Sequence, residues 1–500
     1  MSCFKYELVR EGCITGLTLF TAFVMVATCR GFPVFQLPQL QEASSDIKIT
    51  EEQASWIATL TILPNPVGSI FGGILMDLIG RKLTLQLIFI PFAVAWAIIG
   101  FSHSVEMIYF GTFINGIATG ACYCSSTYIA EICTAEHRGP LLGFLEPTFT
   151  FGILLCNLLV HNLGWRTCAF CFVCSSIICS ILLFLLPESP SWLITQGKTE
   201  KALKILTWLR GNPGEAEREM VEIENSLELT LSKKRSNGGD ECDPLRKVID
   251  MSYDVCKSWK PLAILTGLVT LQRMCGCPIL ESYTVIFFSS LQLPFDSRKA
   301  AIYHSSANFA ASFFTPFAVQ KLPRRMLLCI TSLIMAICMF VVHVYELNYY
   351  VDEKFLPFSS SIKASSSSSP SILSSEEQQP HFYIVLVSIY IYDIASTLGV
   401  LPLPFILSGE LFPTENRGMM NGIYGCFSFL ICSAVVKTFP TFLSFFGIIN
   451  VVLIYAIVCL VIVFYGKFLL PETRGKTLLE IQVKYFKKHG EHFVENIQTK

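Results

Sequence analysis

Gly409-Glu410-Leu411-Phe412-Pro413-Thr414-Glu415-Asn416-Arg417-Gly418 decides the fold, because it repeats an earlier passage, Tyr128-Ile129-Ala130-Glu131 followed by Glu136-His137-Arg138-Gly139. Glu131 and Arg138 stand seven residues apart, and so do Glu410 and Arg417. Each carboxylate closes a strongly apolar stretch and each arginine opens the next. Such charges cost little only where helix ends meet water and find partners. One device used twice marks an internally duplicated membrane protein, the build of a carrier that rocks one half against the other.

Composition agrees. The chain is 52% hydrophobic with 40 Phe, and only 15% of its residues are charged, where a soluble domain carries about 25%. A net charge of −1 offers nothing to nucleic acid. Apolar runs of about 18–25 residues read as spanning helices. They fall at 14–34, 54–76, 83–101, 107–128, 141–160, 168–186, 261–281, 300–319, 326–345, 382–408, 420–440 and 446–470. The expected fold is therefore an all-α membrane protein of twelve transmembrane helices in two six-helix halves. The first run follows Lys5, Glu7, Arg10 and Glu11 without a small-residue cleavage pattern, so it reads as a retained helix and not a signal peptide.

Short-loop Lys and Arg set the orientation. Arg81-Lys82, Arg138, Lys321 with Arg324-Arg325, Arg417 and the Lys476–Lys488 tail share one side; Lys48, Arg166, Arg298, Lys299, Lys354 and Lys363 fall on the other. Both termini are expected in the cytoplasm. Residues 1–186 form the first half and 261–470 the second. Between them, 187–260 has helical apolar spacing at Lys198–Leu209 and Glu215–Leu231 and reads as a cytoplasmic helical layer, with a solvated linker as the alternative. Residues 347–381 are Ser-rich and read as a disordered extracellular loop, and 471–500 as a cytoplasmic tail.

Twenty cysteines invite a disulfide framework, but most lie inside apolar runs, where Cys packs as a small hydrophobe. No pair of Cys-x-x-Cys has zinc spacing. Nothing resembles a nucleophile elbow, a phosphate-cradling loop or a catalytic carboxylate pair, so neither an enzyme, a cofactor nor a metal is expected.

Four motifs in order around these runs carry a resemblance. They are Asp77-Leu78-Ile79-Gly80-Arg81-Lys82, Pro187-Glu188-Ser189-Pro190-Ser191-Trp192-Leu193, the Gly409–Gly418 passage, and Pro471-Glu472-Thr473-Arg474-Gly475-Lys476-Thr477-Leu478. The chain resembles the sugar porter branch of the major facilitator superfamily, and within it the insect facilitated trehalose transporters most. The resemblance implies alternating access, with Asp77, Gly80, Arg81, Glu131, Arg138, Glu410, Arg417, Glu472 and Arg474 gating the cytoplasmic end. On their own chemistry, these groups are able to form a network of ion pairs worth ~0–1 kcal/mol each. That suits a switch between states of similar energy.

The pathway departs from the family. A Gln-Gln-x-x-Gly-x-Asn stretch in helix seven becomes Gln272-Arg273-Met274-Cys275-Gly276-Cys277-Pro278. A pore-facing Gln of helix five aligns with Glu146. The end of helix ten becomes Leu401-Pro402-Leu403-Pro404-Phe405, which keeps its prolines and loses an indole. Asn308 matches a sugar-contact Asn, and Ser428 falls at a polar position of helix eleven. The expected substrate-binding set is Glu146, Gln272, Arg273, Gly276, Tyr283, Asn308, Pro402, Pro404, Phe405 and Ser428. Arg30 and Asp393 add charge inside apolar runs, which marks function by default. Three readings stay open: a Glu146–Arg273 pair that binds hydroxyls, an anion held by Arg30 and Arg273, or proton coupling through Glu146 or Asp393. Snorkelling to the interface is the alternative for Arg30.

The expected function is facilitative transport of a sugar, trehalose or a hexose, by a monomer in the lipid bilayer of the plasma membrane. The rival readings are a carrier for a charged organic solute, a proton symporter, and a membrane sugar sensor that does not transport.

Overall fold

The structure is a computed structural model and describes residues 2–43, 45–134, 141, 143–236, 259–291, 295–363, 379–412 and 417–473. Among these residues the regular structure is helical throughout. The first half comprises α1 (Ser2–Gln41), α2 (Glu51–Leu60), α3 (Asn65–Ile79), α4 (Arg81–Gly100), α5 (Val105–Cys122), α6 (Ser125–Ile132), α7 (Leu145–Leu163) and α8 (Trp165–Leu182). Helix α1 is buried on every side from Ala22 to Phe35, as a central helix must be. Thr50 and Gln53 close a capping box at the start of α2. Helices α3 and α5 approach backbone to backbone: a Cβ on Gly120 would stand 2.0 Å from the Asn65 carbonyl oxygen. Small residues permit this contact where apolar packing alone cannot draw helices together.

Three further helices follow, α9 (Pro190–Thr195), α10 (Thr199–Arg210) and α11 (Pro213–Ser236). They bury Leu193, Ile194 and Ala202 in a small core of their own. Arg210 fastens this layer to the base of α1 by bonding Glu11, Glu219 and the Ile132 carbonyl.

The second half contains α12 (Trp259–Met274), α13 (Cys277–Ser282), α14 (Thr284–Ser290), α15 (Ser297–Ser312), α16 (Thr315–Lys321), α17 (Arg324–Lys363), α18 (Gln379–Ala395), α19 (Leu403–Leu411) and α20 (Arg417–Phe468). The seventh apolar run is broken where a continuous helix was expected. Gly276 takes φ +107° and Pro278 removes a backbone donor. A π-helical turn, Ser396–Val400, interrupts the tenth. Helix α20 bends at Gly447, φ +71°, close to the expected boundary between the last two runs. Helix α17 continues to Lys363, into the segment expected to be disordered from residue 347; helix-compatible Glu353, Lys354, Phe355 and Leu356 precede the serine run there.

Among the described residues, seven stretches are long and apolar enough to cross a membrane, among them Val9–Gln41, Arg81–Gly100 and Met420–Phe468. Their outer faces are apolar: Ile70, Phe71, Ile74 and Leu78 form one exposed strip on α3. The halves meet chiefly where α7 packs on α15 and α2 on α20, with α1 also against α13 and α14 and α3 against α20.

Candidate functional site

A cavity of about 30 Å³ lies between the halves, walled by Thr150 and Asn157 of α7, Glu281 of α13, His304, Ser305 and Asn308 of α15, and Asp393 of α18. Two hydrogen bonds cross it. Asn157 Nδ2 donates to Ser305 Oγ at 2.7 Å, and Thr150 Oγ1 donates to Ser312 Oγ at 3.0 Å. Hydroxyl and amide groups from both halves thus converge on one space, the chemistry that recognises a polyol. The space has room for a water or two, far below the ~300–1,000 Å³ of an open ligand site. The site is closed upon itself.

Asp393 organises one wall. It lies 2.6 Å from His304 Nε2, and it accepts hydrogen bonds from the Asn308 amide and from Ser396 Oγ at 3.1 Å. Thr397 Oγ1 donates to Asn308 Oδ1 at 3.1 Å, so the π-helical turn holds Asn308 from its other side. Sequence reasoning missed Glu281, His304, Asn157, Ser305 and Thr150. A signal existed for His304, which precedes Asn308 by one helical turn and shares its face. Glu281 closed the seventh apolar run and was a buried-carboxylate candidate on the same ground as Asp393.

Of the expected binding residues, Asn308 lines the cavity. Arg273 is buried and donates from Nη2 to Ser428 Oγ at 3.1 Å. Glu146, half-buried one turn before Thr150, makes no ion pair with Arg273 among the described residues; the charges nearest it belong to Glu281 and Asp393. Gln272 Nε2 donates to the carbonyls of Val400 (2.9 Å) and Leu401 (3.1 Å), which the helix break before Pro402 and Pro404 leaves without a helical partner. Gly276 holds its left-handed turn against the Tyr455 ring, 2.7 Å from where a Cβ would sit. Tyr283 is buried away from the cavity, its hydroxyl on the Val436 carbonyl (3.3 Å) and its ring tilted on Phe439. Phe405 is half exposed.

At one end of the bundle each half carries the same cluster. Arg81 donates from Nε and Nη2 to Glu131 at 2.9 Å and from Nη1 to the Met76 carbonyl at 3.1 Å, with exposed Asp77 at 3.4 Å. The N–H groups of Arg81 and Lys82 donate to Glu188 at 3.0 and 3.1 Å, and the Ser189 hydroxyl donates to Glu131. In the second half Arg324 donates to Glu410 at 3.1 Å and to the Val319 carbonyl. The N–H groups of Arg324 and Arg325 donate to Glu472, both at 3.1 Å, and Thr473 Oγ1 donates to Glu410 at 2.5 Å. Glu188 and Glu472 therefore cap the first turns of α4 and α17, where the helix dipole favours a carboxylate. A partner of Glu410 is Arg324, which sequence reasoning counts only among the loop charges. Arg138, Arg474 and the side chain of Arg417 lie outside the described residues.

The opposite end is tied across the halves. Arg298 of α15 bonds Glu42, just past α1. Lys437 of α20 donates to Ser55 Oγ at 2.7 Å and lies 4.3 Å from the Trp56 ring centroid. Beside them a vestibule of about 380 Å³ is lined by Glu42, Asp46, Arg166 and Arg298.

A family model described as sugar (and other) transporter matches residues 23–485. The facilitated trehalose transporter Tret1 of Polypedilum vanderplanki is 30% identical over 445 residues, 88% of this chain and 81% of that protein. Its namesake in Apis mellifera ligustica is 28% identical over 94% of this chain and 88% of its own length. The chain spans 44% of the Drosophila virilis protein of the same name. Among solved structures, the inward open xylose transporter XylE from E. coli superposes with a TM-score of 0.67 at 21% identity, covering 96% of this chain and 99% of that one. Its partially occluded inward open form gives 0.68 at 19%, covering 92% and 99%. These likenesses show the fold of a major facilitator carrier.

Proposed function

Because this chain belongs to the sugar (and other) transporter family, we propose that it carries trehalose or a hexose down its gradient by alternating access through the cavity between its halves. It is a multi-pass membrane protein and a transporter, not an enzyme. The observation that carries the substrate path is the pair of cross-half bonds, Asn157–Ser305 and Thr150–Ser312, on a closed polar cavity. A hydroxyl-rich solute replaces such bonds one for one, so occupancy and closure use the same groups.

Counting α2–α3, α5–α6, α12–α14, α15–α16 and α18–α19 through their breaks, and α20 as two spans at its bend, supports twelve spans. The basic residues around Arg81 and Arg324 support placing that end, and both termini, in the cytoplasm. The outer end is then the sealed one, an inward-facing arrangement. Asp77, Gly80, Arg81, Glu131, Glu410 and Glu472, with Arg324 joining them, form the cytoplasmic gate. The protein works as a monomer in the plasma membrane.

The test is uptake of labelled trehalose and glucose into proteoliposomes holding the purified chain, with and without an inward proton gradient. Saturable uptake without the gradient is expected. Its absence from folded protein under both conditions refutes the reading.

A further inference from the structure

Two arginines sit deep between the halves with donors to spare. Arg30 of α1 is 6% exposed and Arg273 of α12 is 7% exposed. Nε and Nη1 of Arg30 and Nε of Arg273 have no hydrogen-bond partner. The side chains they do bond are Cys432 for Arg30 and Ser428 for Arg273. Arg30 belongs to the first half and Arg273 to the second, yet both lie within electrostatic reach of Tyr123 and of Glu281. Both thus reach the same acid from opposite halves, and that acid, Glu281, lines the cavity. Tyr424, also within reach of Arg273, has a buried hydroxyl without a partner.

A guanidinium keeps its charge and only donates. Two of them, removed from water with unused N–H groups, call for acceptors that bring negative charge. The acids nearby meet that need only in part. Glu281 makes no ion pair with either arginine among the described residues. Asp393 is engaged by His304, Asn308 and Ser396, and Glu146 has Glu281 and Asp393 as its charged neighbours. Glu281 is one carboxylate within reach of two guanidiniums, so a neutral sugar would supply hydroxyl oxygens and leave one positive charge over. A carboxylate has two oxygens in the planar geometry that a guanidinium fork matches.

We propose that Arg30 and Arg273 form a carboxylate subsite beside the polyol cavity, so that among the hexose-sized solutes this carrier accepts it prefers a sugar acid. Its carboxylate lies between the two arginines, with Tyr424 and Ser428 at its edge, and its hydroxyls meet Asn157, Ser305 and Asn308. Because the arginines come from opposite halves, the bound anion draws the halves together, a difference in affinity between open and closed states that a ligand must supply to move the equilibrium. The proposal rests on the reading that this cavity is the transport site.

The experiment compares labelled glucuronate with glucose in proteoliposome uptake, and glucuronate, glucose, acetate and inorganic phosphate for thermal stabilisation of the full chain in detergent. Wild type should favour glucuronate over glucose by tenfold or more in kcat/KM. Arg30→Gln and Arg273→Gln should each cut that ratio at least tenfold, and Arg30→Lys or Arg273→Lys should retain part of it. The wild-type ratio needs no variant, so a variant that fails to fold leaves the test standing. Glucose uptake with no preference for glucuronate overturns the subsite and leaves the carrier reading intact. Glucuronate-specific stabilisation that both Gln variants lose, without any uptake, supports the subsite and overturns the carrier reading. Equal stabilisation by acetate, phosphate and glucuronate overturns selection of a sugar acid, and no stabilisation with no uptake overturns both.

Discussion

Cutting both outer ties, Arg298→Ala with Lys437→Ala, should open the sealed end. Arg298 and Glu42 are each about 40% exposed, so their pair contributes ~0–1 kcal/mol. Lys437 adds a charged hydrogen bond to Ser55 at 2.7 Å and a contact with the Trp56 ring at 4.3 Å. For a half-buried cation these sum to about 2 kcal/mol. Both ties cross the halves, so the whole amount favours the closed outer end and none of it is kept when that end opens. The double variant therefore loses about 2–3 kcal/mol of bias, roughly 30- to 150-fold in the population ratio at about 1.4 kcal/mol per tenfold. The assay is hydrogen–deuterium exchange in nanodiscs, read on peptides covering residues 36–50 and 295–303. Exchange there should accelerate at least tenfold, with each single variant giving a part of the effect, since the two ties share no partner. High salt should mimic the Arg298 change and barely touch Lys437 on its aromatic face. Unchanged exchange in a double variant that melts like wild type would refute the reasoning.

Other substitutions probe the scaffold. Gly80→Ala puts a Cβ at φ +99° and 2.6 Å from Glu188 Oε2, which strains the backbone by about 1–2 kcal/mol and displaces the cap on α4; the thermal midpoint should fall, and an unchanged midpoint would contradict it. Gln272→Leu keeps the volume but leaves the Val400 and Leu401 carbonyls unpaired, at a cost of about 1–3 kcal/mol, read as a lower midpoint together with slower uptake. Gly120→Val drives a side chain into the Asn65 carbonyl, 2.0 Å from the Cβ position, and should abolish a monodisperse peak on size exclusion. Gly73→Ala on the same bundle meets nothing within 4 Å and should be silent.

The all-helical membrane fold was legible because a bilayer imposes one length and one polarity on every span, so the apolar runs carried it. What stayed hidden was geometry that periodicity does not encode. The break at Gly276 shows in sequence only as a glycine two residues before a proline, a pattern a straight helix also tolerates near its end. In the second half Arg324 stayed outside the expected gating set, because Gln320-Lys321-Leu322-Pro323-Arg324 keeps only the arginine of Asp77-Leu78-Ile79-Gly80-Arg81. Its hydrogen bonds are intact all the same: Arg324 repeats the bonds of Arg81 to a carboxylate and to the carbonyl five residues back. Pro323 stands where the first half has left-handed Gly80, so the same bonds form on a different backbone. Binding residues were the hardest to read. Tyr283 and Phe405 fitted the chemistry of a sugar site, but which way a side chain points around a broken helix depends on where it breaks. His304 and Asn157 carried no motif to draw attention to them.

The arrangement of ties says which parts move together. Among the described residues, hydrogen bonds cross the halves at the cavity, between Arg30 and Cys432, and at the outer end. The Arg81 and Arg324 clusters are each internal to one half, and each holds acids and bases in contact. They stiffen the helix ends they join and do not hold this state closed. Opening toward their end thus breaks no bond within a cluster, and needs the two neutral bonds over the cavity and the Arg30–Cys432 bond to be exchanged for bonds to solute. The reverse excursion must break the outer ties, about 2–3 kcal/mol by the same reckoning. Something must offset that loss if the two states are to stay within reach of one another. The clusters are the groups placed to do so: when the outer end parts, their end closes, and a mixed set of charges on each half meets a mixed set on the other. The gate proposed there is therefore a contact made in the opposite state, by residues that in this state are already held in position by Glu188 and Glu472.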